Sequence, residues 1–175
     1  MKKTSTYKLV ISALFISIGL ILPFITGQIP EIASKISPMH IPVLTAGFVL
    51  GAPYGLFIGF ITPLMRALIF GMPVLFPNAV SMAFELAAYG FFTGSLYKAL
   101  PKKNISIIIA LIVSMFLGRV VWGVATLILW NMQGNVFTFN IFITGAFINA
   151  LPAIIIHLAI IPTFVIALKH AKVME

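Results

Sequence analysis

Three charged side chains, Arg66, Glu85 and Arg119, lie inside or at the margin of long apolar runs. A charge in the hydrocarbon of a bilayer costs about 3 kcal/mol or more, so such a residue normally has a partner or a role. Glu85 and Arg119 are expected to meet, either as a structural ion pair between neighbouring helices or in a polar pocket. In such a pocket Arg119 or Arg66 would present its guanidinium to a ligand carboxylate. Arg66 could instead reach the outer headgroups as an anchor.

Uncharged polar and aromatic residues are candidates for the same pocket. Asn78 and Asn149 are expected near the outer ends of their helices, with Trp122 and Tyr89 as further lining residues. Small-molecule sites combine apolar and aromatic walls with a few placed polar groups, which these residues would supply. Each also has a structural alternative, because an Asn can bond a neighbouring helix and a Trp can pack on lipid or core. His157 is expected to be a satisfied core residue rather than a ligand or proton relay.

The residue inventory argues against an enzyme. The chain has no cysteine and no aspartate, which excludes thiolate metal sites, cysteine nucleophiles and aspartate-oriented triads. It also has no glycine-rich phosphate loop and no pair of histidines at metal-binding spacing. We therefore predict no catalysis, no metal and no cofactor, and any active transport would need an energy source in partner proteins.

The composition indicates that most of the chain lies in a membrane rather than in water. Of its 175 residues, 61% are hydrophobic and 8% charged, which lies outside the range of soluble globular domains. A transmembrane helix needs about 20 apolar residues, and runs of that kind predict an all-α membrane protein, a compact bundle of six helices in a single domain, 1–175. The predicted spans are 9–25, 41–51, 54–70, 78–97, 105–130 and 142–168. The Gly and Pro residues at 51–55 favour a division within 41–70, and orientation decides it, because an undivided helix would give five spans and place Lys169 and Lys172 outside.

Charge patterning sets the orientation. With six spans, both termini share one side, and nearly all lysines fall on it, as expected for the cytoplasmic face of a bacterial inner-membrane protein. Lys35 is the exception, in the first external loop, 26–40. The net charge of +8 is scattered beside apolar runs rather than gathered in one stripe. It therefore indicates contact with anionic lipid rather than with nucleic acid.

The first helix has a smooth strip. Ala13 and Ser17 are four residues apart, with Gly19 nearby, so another helix could pack closely there. The partner would be either another helix of the same bundle or an external protein.

Two segments then identify a family resemblance. Residues 37–55 read SPMHIPVLTAGFVLGAPYG, and residues 59–64 read GFITPL. They resemble the substrate-binding, or S, components of energy-coupling factor (ECF) transporters for vitamins. In that family a proline-bearing second helix leads through a Gly-x-Pro-x-Gly turn into a third helix. Size, six spans and basic termini are similar too, so the resemblance covers nearly the whole chain.

The resemblance implies a function. An S component binds its vitamin from outside, in a cavity formed by the later helices and capped by the first external loop. That loop here ends at His40, which is a further candidate ligand-binding residue. It associates with a transmembrane coupling subunit and two ATPase subunits, which use ATP, and it topples in the membrane to release its load. The small-x-x-x-small strip that docks on the coupling subunit would fall on Ala13 and Ser17, with Ser17 in place of the usual alanine.

The substrate stays open. Two arginines favour a carboxylate ligand, so pantothenate is the first candidate, with folate, niacin or lipoate possible by the same logic. Pyridoxine, riboflavin or a thiamine precursor would fit if Glu85 takes up Arg119. The main competing class is an autonomous facilitator or channel for small solutes, which should have a polar stripe through both leaflets.

Overall fold

The computed structural model describes residues 5–26 and 35–171, and within them all regular secondary structure is helical, without a β-strand. This confirms the predicted all-α bundle. The main helices are α1 (Ser5–Ile21), α2 (His40–Leu50), α3 (Ala52–Phe70), α4 (Val80–Ala99), α5 (Asn104–Met132) and α6 (Leu151–His170). Shorter helical segments are Leu22–Thr26, Leu75–Ala79, Phe139–Ile143 and Thr144–Ile148.

Four helical segments are long and apolar enough to cross a membrane: 5–25, 52–70, 104–132 and 139–170. The other two main helices are the most enclosed. α2 has 11 residues, of which nine are buried against α1, α3, α4 and α6. α4 has 20 residues, of which ten are buried, and it packs against α2, α3 and α5. Neighbouring helices enclose α2 and cover one side of α4, so α2 can be short and the covered side of α4 can carry polar residues.

Gly51 separates α2 from α3. Its φ is +88°, a conformation that favours glycine, and its N–H donates to the carbonyl of Gly47. The apolar stretch 41–70 is therefore two helices, as the Gly and Pro residues predict.

The basic residues gather at one end of the bundle, where α4 ends and α5 begins. The Lys102 ammonium lies 4.1 Å from the centre of the Tyr97 ring. The Lys169 Nζ, near the end of α6, donates to the Lys102 carbonyl at 3.0 Å. We call this the basic end. Three further lysines predicted to share this side, Lys2, Lys3 and Lys172, lie outside the described residues, as does the central part of the first external loop, 27–34.

Glycines bring α3 and α4 into backbone contact in the half of the bundle near the basic end. A Cβ added to Gly55 or to Gly90 would overlap the carbonyl of the other residue, and one added to Gly59 would overlap the carbonyl of Leu86. Small residues allow such close approach between membrane helices. Around this crossing lies an apolar core that includes Ile58 and Leu111. The buried charged residues lie toward the opposite end.

Candidate ligand-binding site

A cavity of about 530 Å³ lies in the half of the bundle away from the basic end. Its volume falls within the roughly 300–1,000 Å³ that small-molecule sites occupy. The wall combines charged, aromatic, methionine and proline side chains from nearly every part of the chain. It consists of Pro23, Ser37, Pro38, Met39, His40, Arg66, Met72, Pro73, Val74, Asn78, Ser81, Met82, Glu85, Arg119, Trp122, Thr126, Trp130, Gly145, Asn149 and Ala150.

The structure brings together the side chains proposed from the sequence for ligand binding. Seven of them line the cavity: His40, Arg66, Asn78, Glu85, Arg119, Trp122 and Asn149. The eighth, Tyr89, lies one helical turn beyond Glu85 on α4 and reaches the cavity wall through its hydroxyl bond to that residue.

Glu85 is the centre of the polar cluster and is 2% exposed. Its Oε1 accepts a hydrogen bond from the Tyr89 hydroxyl at 2.9 Å, and Arg119 Nη1 lies 3.0 Å from the same oxygen. His40 Nε2 is 3.7 Å from it. Tyr89 can pack against α5 because Gly118 leaves room for its ring. The ion pair and the pocket, which the sequence posed as alternatives, therefore occur together.

His157 supports the segment that closes one side of the cavity. Its Nε2 lies 3.2 Å from the carbonyl oxygen of Ser37, and its ring stacks on His40 with centroids 5.8 Å apart and planes 20° apart. The side chain is buried and has a backbone partner, as expected for a core residue. It joins α6 to residues 37–40.

Several buried polar atoms around the cavity have no hydrogen-bond partner within the described residues. They are Nδ1 and Nε2 of His40, Nε of Arg119 and Oγ1 of Thr126. Buried polar groups in folded proteins are almost always satisfied. Their concentration beside one cavity is what a site for a polar ligand would show.

Arg66 has a different environment from Arg119. Its side chain is 3% exposed, and its Nη1 donates to the carbonyl of Leu20, one of the last carbonyls of α1, which lack partners within the helix. The guanidinium carbon lies 5.0 Å from the ring centre of Phe24 and 5.4 Å from that of Phe70. Arg66 is thus held inside the bundle and does not act as an exposed anchor.

Sequence reasoning missed Ser81, Thr126, Trp130 and the segment 72–74. A signal for two of them exists, because Thr126 and Trp130 follow Trp122 at four-residue intervals on α5 and so share its face. The segment 72–74 belongs to the connection between α3 and α4, where helical periodicity gives no guidance.

A second cavity of about 330 Å³ adjoins the first and shares Trp122, Trp130, Gly145 and Asn149 with it. The Phe137 ring packs edge-on against both tryptophans, with centroids 6.0 and 5.6 Å apart. An aromatic wall therefore borders both cavities.

The small residues of α1 lie on two different sides of the helix. Ala13 and Ser17 are exposed, whereas Gly19 is buried against Thr62 of α3. The Ser17 hydroxyl donates to the Ala13 carbonyl at 2.9 Å, so it is satisfied within its own helix. Ala13 and Ser17 thus form a small-residue surface outside the bundle.

The family model for the ECF transporter, substrate-specific component, matches residues 7–167. These residues include every position that lines the cavity. The chain belongs to this family. As an ECF substrate-specific component it is a transporter subunit in the membrane, and the resemblance of segments 37–55 and 59–64 is confirmed. No curated protein and no solved structure matches the chain significantly.

Proposed function

We propose that this S component captures a small water-soluble vitamin or related micronutrient in the cavity of about 530 Å³. The observation that carries the proposal is the Glu85 cluster with its unpartnered buried atoms, set among aromatic and methionine side chains. Such a mixture of apolar wall and few polar groups is typical of small-molecule sites. The cavity lies away from the basic end, which the positive-inside rule assigns to the cytoplasm. The ligand would therefore enter from outside a bacterial cytoplasmic membrane.

Pantothenate is the first candidate ligand, because it carries one carboxylate together with hydroxyl and amide groups. Because Arg119 already pairs with Glu85, Arg119 is no longer the expected partner of that carboxylate. Folate, niacin and lipoate are other acids with the same requirement. Pyridoxine, riboflavin or a thiamine precursor would bind instead if hydrogen bonds to the Glu85 cluster alone select the ligand.

The energy for uptake would come from partner proteins. We expect a transmembrane coupling subunit and two ATPase subunits, with ATP consumed by the latter, while this chain binds no cofactor and catalyses no reaction. The exposed surface at Ala13 and Ser17 is the proposed docking site for the coupling subunit. Release of the load would follow the toppling of the S component within that assembly.

Native mass spectrometry of the protein purified from its own host membrane tests this function. A retained vitamin-sized molecule and co-purifying ATPase subunits are the expected result. The alternative, an autonomous facilitator, predicts flux of small solutes into liposomes that contain this chain alone. Such flux, with no retained ligand and no ATPase partner, would overturn the proposal.

A further inference from the structure

We propose that Arg66 selects the charge of the ligand, so that the cavity takes an organic monoanion whose carboxylate binds the Arg66 guanidinium. This inference rests on the proposed function, because it specifies the ligand of the same cavity. It assigns to Arg66, rather than Arg119, the recognition of the acid group.

The charges that line the cavity do not balance. The cavity is lined by two cations, Arg66 and Arg119, and by one anion, Glu85. The contact of 3.0 Å between Arg119 and Glu85 makes these two a neutral pair. One positive charge, that of Arg66, is left over.

The partners of Arg66 are neutral groups. In the part of the chain that the structure describes, no carboxylate lies within 4.0 Å of it, and its contacts are the Leu20 carbonyl and the rings of Phe24 and Phe70. A carbonyl and two ring faces attract a cation but do not cancel its charge. A guanidinium has five N–H donors in a fork that matches a carboxylate. Arg66 is thus equipped to hold an anion.

The neighbouring Glu85 carboxylate excludes Arg119 as the acid-binding group. A carboxylate placed beside Arg119 would also approach Glu85, and two like charges in a medium of low dielectric repel strongly. The Glu85 cluster is better suited to uncharged groups of the ligand, such as hydroxyls or amides. Different residues would then bind the carboxylate and the uncharged polar groups of the ligand.

The single positive charge of Arg66 also limits the negative charge of the ligand. A phosphate monoester carries a charge of about −1.5 to −2 at pH 7, which would leave the occupied cavity net negative inside the membrane. A carboxylate carries one negative charge and leaves it neutral. Because uncompensated charge is costly there, a carboxylate is preferred to a phosphate ester.

The test uses probe pairs that differ only in the acid group: pantothenate and pantothenol, nicotinate and nicotinamide, lipoate and lipoamide. Affinities are measured by titration calorimetry with the full chain in lipid nanodiscs. We expect the acid of at least one pair to bind about tenfold to hundredfold more tightly than its neutral partner. This comparison uses the wild-type protein and needs no variant to fold.

The variants Arg66→Met and Arg66→Lys then locate the effect. Arg66→Met should abolish the preference for the acid over its neutral partner, while Arg66→Lys should retain an intermediate preference. Lys35→Met is the control, because Lys35 is an exposed cation before residues 37–40. Melting temperatures identify any variant that does not fold.

The outcomes separate this inference from the function on which it rests. Equal affinity for acid and neutral probes, or a retained native ligand without a carboxylate, overturns the charge selection and leaves vitamin capture intact. Acid preference that survives Arg66→Met in a folded protein overturns the role of Arg66. The absence of any bound probe and of any retained native ligand overturns the proposed function itself.

Discussion

Arg119 Nη1 and Glu85 Oε1 lie 3.0 Å apart, and the same carboxylate oxygen also accepts the Tyr89 hydroxyl bond. Glu85 lies on α4, Arg119 on α5, and His40, 3.7 Å from that oxygen, begins α2. One carboxylate therefore joins three helices at the wall of the cavity.

A double-mutant cycle measures what this pair contributes. Arg119→Met and Glu85→Gln should each lower the free energy of unfolding by about 3–5 kcal/mol, because each leaves a buried charge unpaired. The double mutant should recover much of that loss. Melting curves and ligand affinities are recorded for the wild type and all three variants.

We expect the stability of the double mutant to recover while its ligand affinity stays low. Both charged side chains at the polar end of the cavity are then replaced, so neither can bind the ligand. Recovery of stability and affinity together would mean that Arg119 and Glu85 are only a structural pair.

His157→Leu should raise the rate of ligand release. The substitution removes the bond to the Ser37 carbonyl and the stacking on His40, which hold residues 37–40 against the cavity. The loss of one hydrogen bond of ordinary strength corresponds to roughly a threefold to tenfold faster off-rate. Stopped-flow release of a fluorescent or radiolabelled ligand measures it.

Thr163→Val is the control for that experiment, because its hydroxyl bonds only the Ala159 carbonyl on the same helix, away from the cavity. If His157→Leu folds and releases ligand as slowly as the control, residues 37–40 do not limit release.

Ala13→Trp or Ser17→Trp should abolish uptake and leave ligand affinity nearly unchanged. Bulk on this exposed surface blocks a helix of the coupling subunit without reaching the cavity. Pull-down of the coupling subunit and uptake in cells are the measurements. Ala159→Trp, at an exposed position of α6, controls for a large side chain facing lipid, and transport intact in the α1 variants would remove the docking role.

Gly90→Ala should destabilise the bundle although alanine is the better helix former by about 1 kcal/mol. The added methyl would overlap the Gly55 backbone, which cannot move aside without separating α3 from α4. Gly145→Ala is the control, because its Cβ would meet the ring of Trp122, a side chain that borders two cavities, rather than a backbone. A melting temperature for Gly90→Ala at or above that of the control would contradict this packing.

The sequence predicts much of the architecture because the apolar runs end at clear signals. The division at Gly51 follows from glycine and proline together with the placement of the lysines on one side of the membrane. The depth of Glu85 and Arg119 in their runs, at 1.5 Å per residue, put both in the outer half of the bundle, where they could meet. The prediction for the last run, 142–168, agrees less well with the structure. Two short helical segments, Phe139–Ile143 and Thr144–Ile148, precede α6, which starts at Leu151 and has Pro152 in its first turn.

Other features depend on contacts between distant parts of the chain. Arg66 could be recognised as a charge that needs a partner, but the carbonyl it binds, that of Leu20, is 46 residues away and has no distinctive side chain. The stacking of His157 on His40 likewise joins α6 to the start of α2. Periodicity gives the face of one helix and not the neighbour it meets, so neither contact could be derived.

The backbone contact between α3 and α4 also bears on the electrical behaviour of the membrane. A cavity that reaches inward from the outer surface shortens the barrier that separates ions on the two sides. Here Gly55 and Gly90 touch without space for a methyl group, and Ile58 and Leu86 beside them are fully buried, so no file of water fits between α3 and α4. The crossing of these two helices should therefore carry no ion current, even when the cavity is unoccupied.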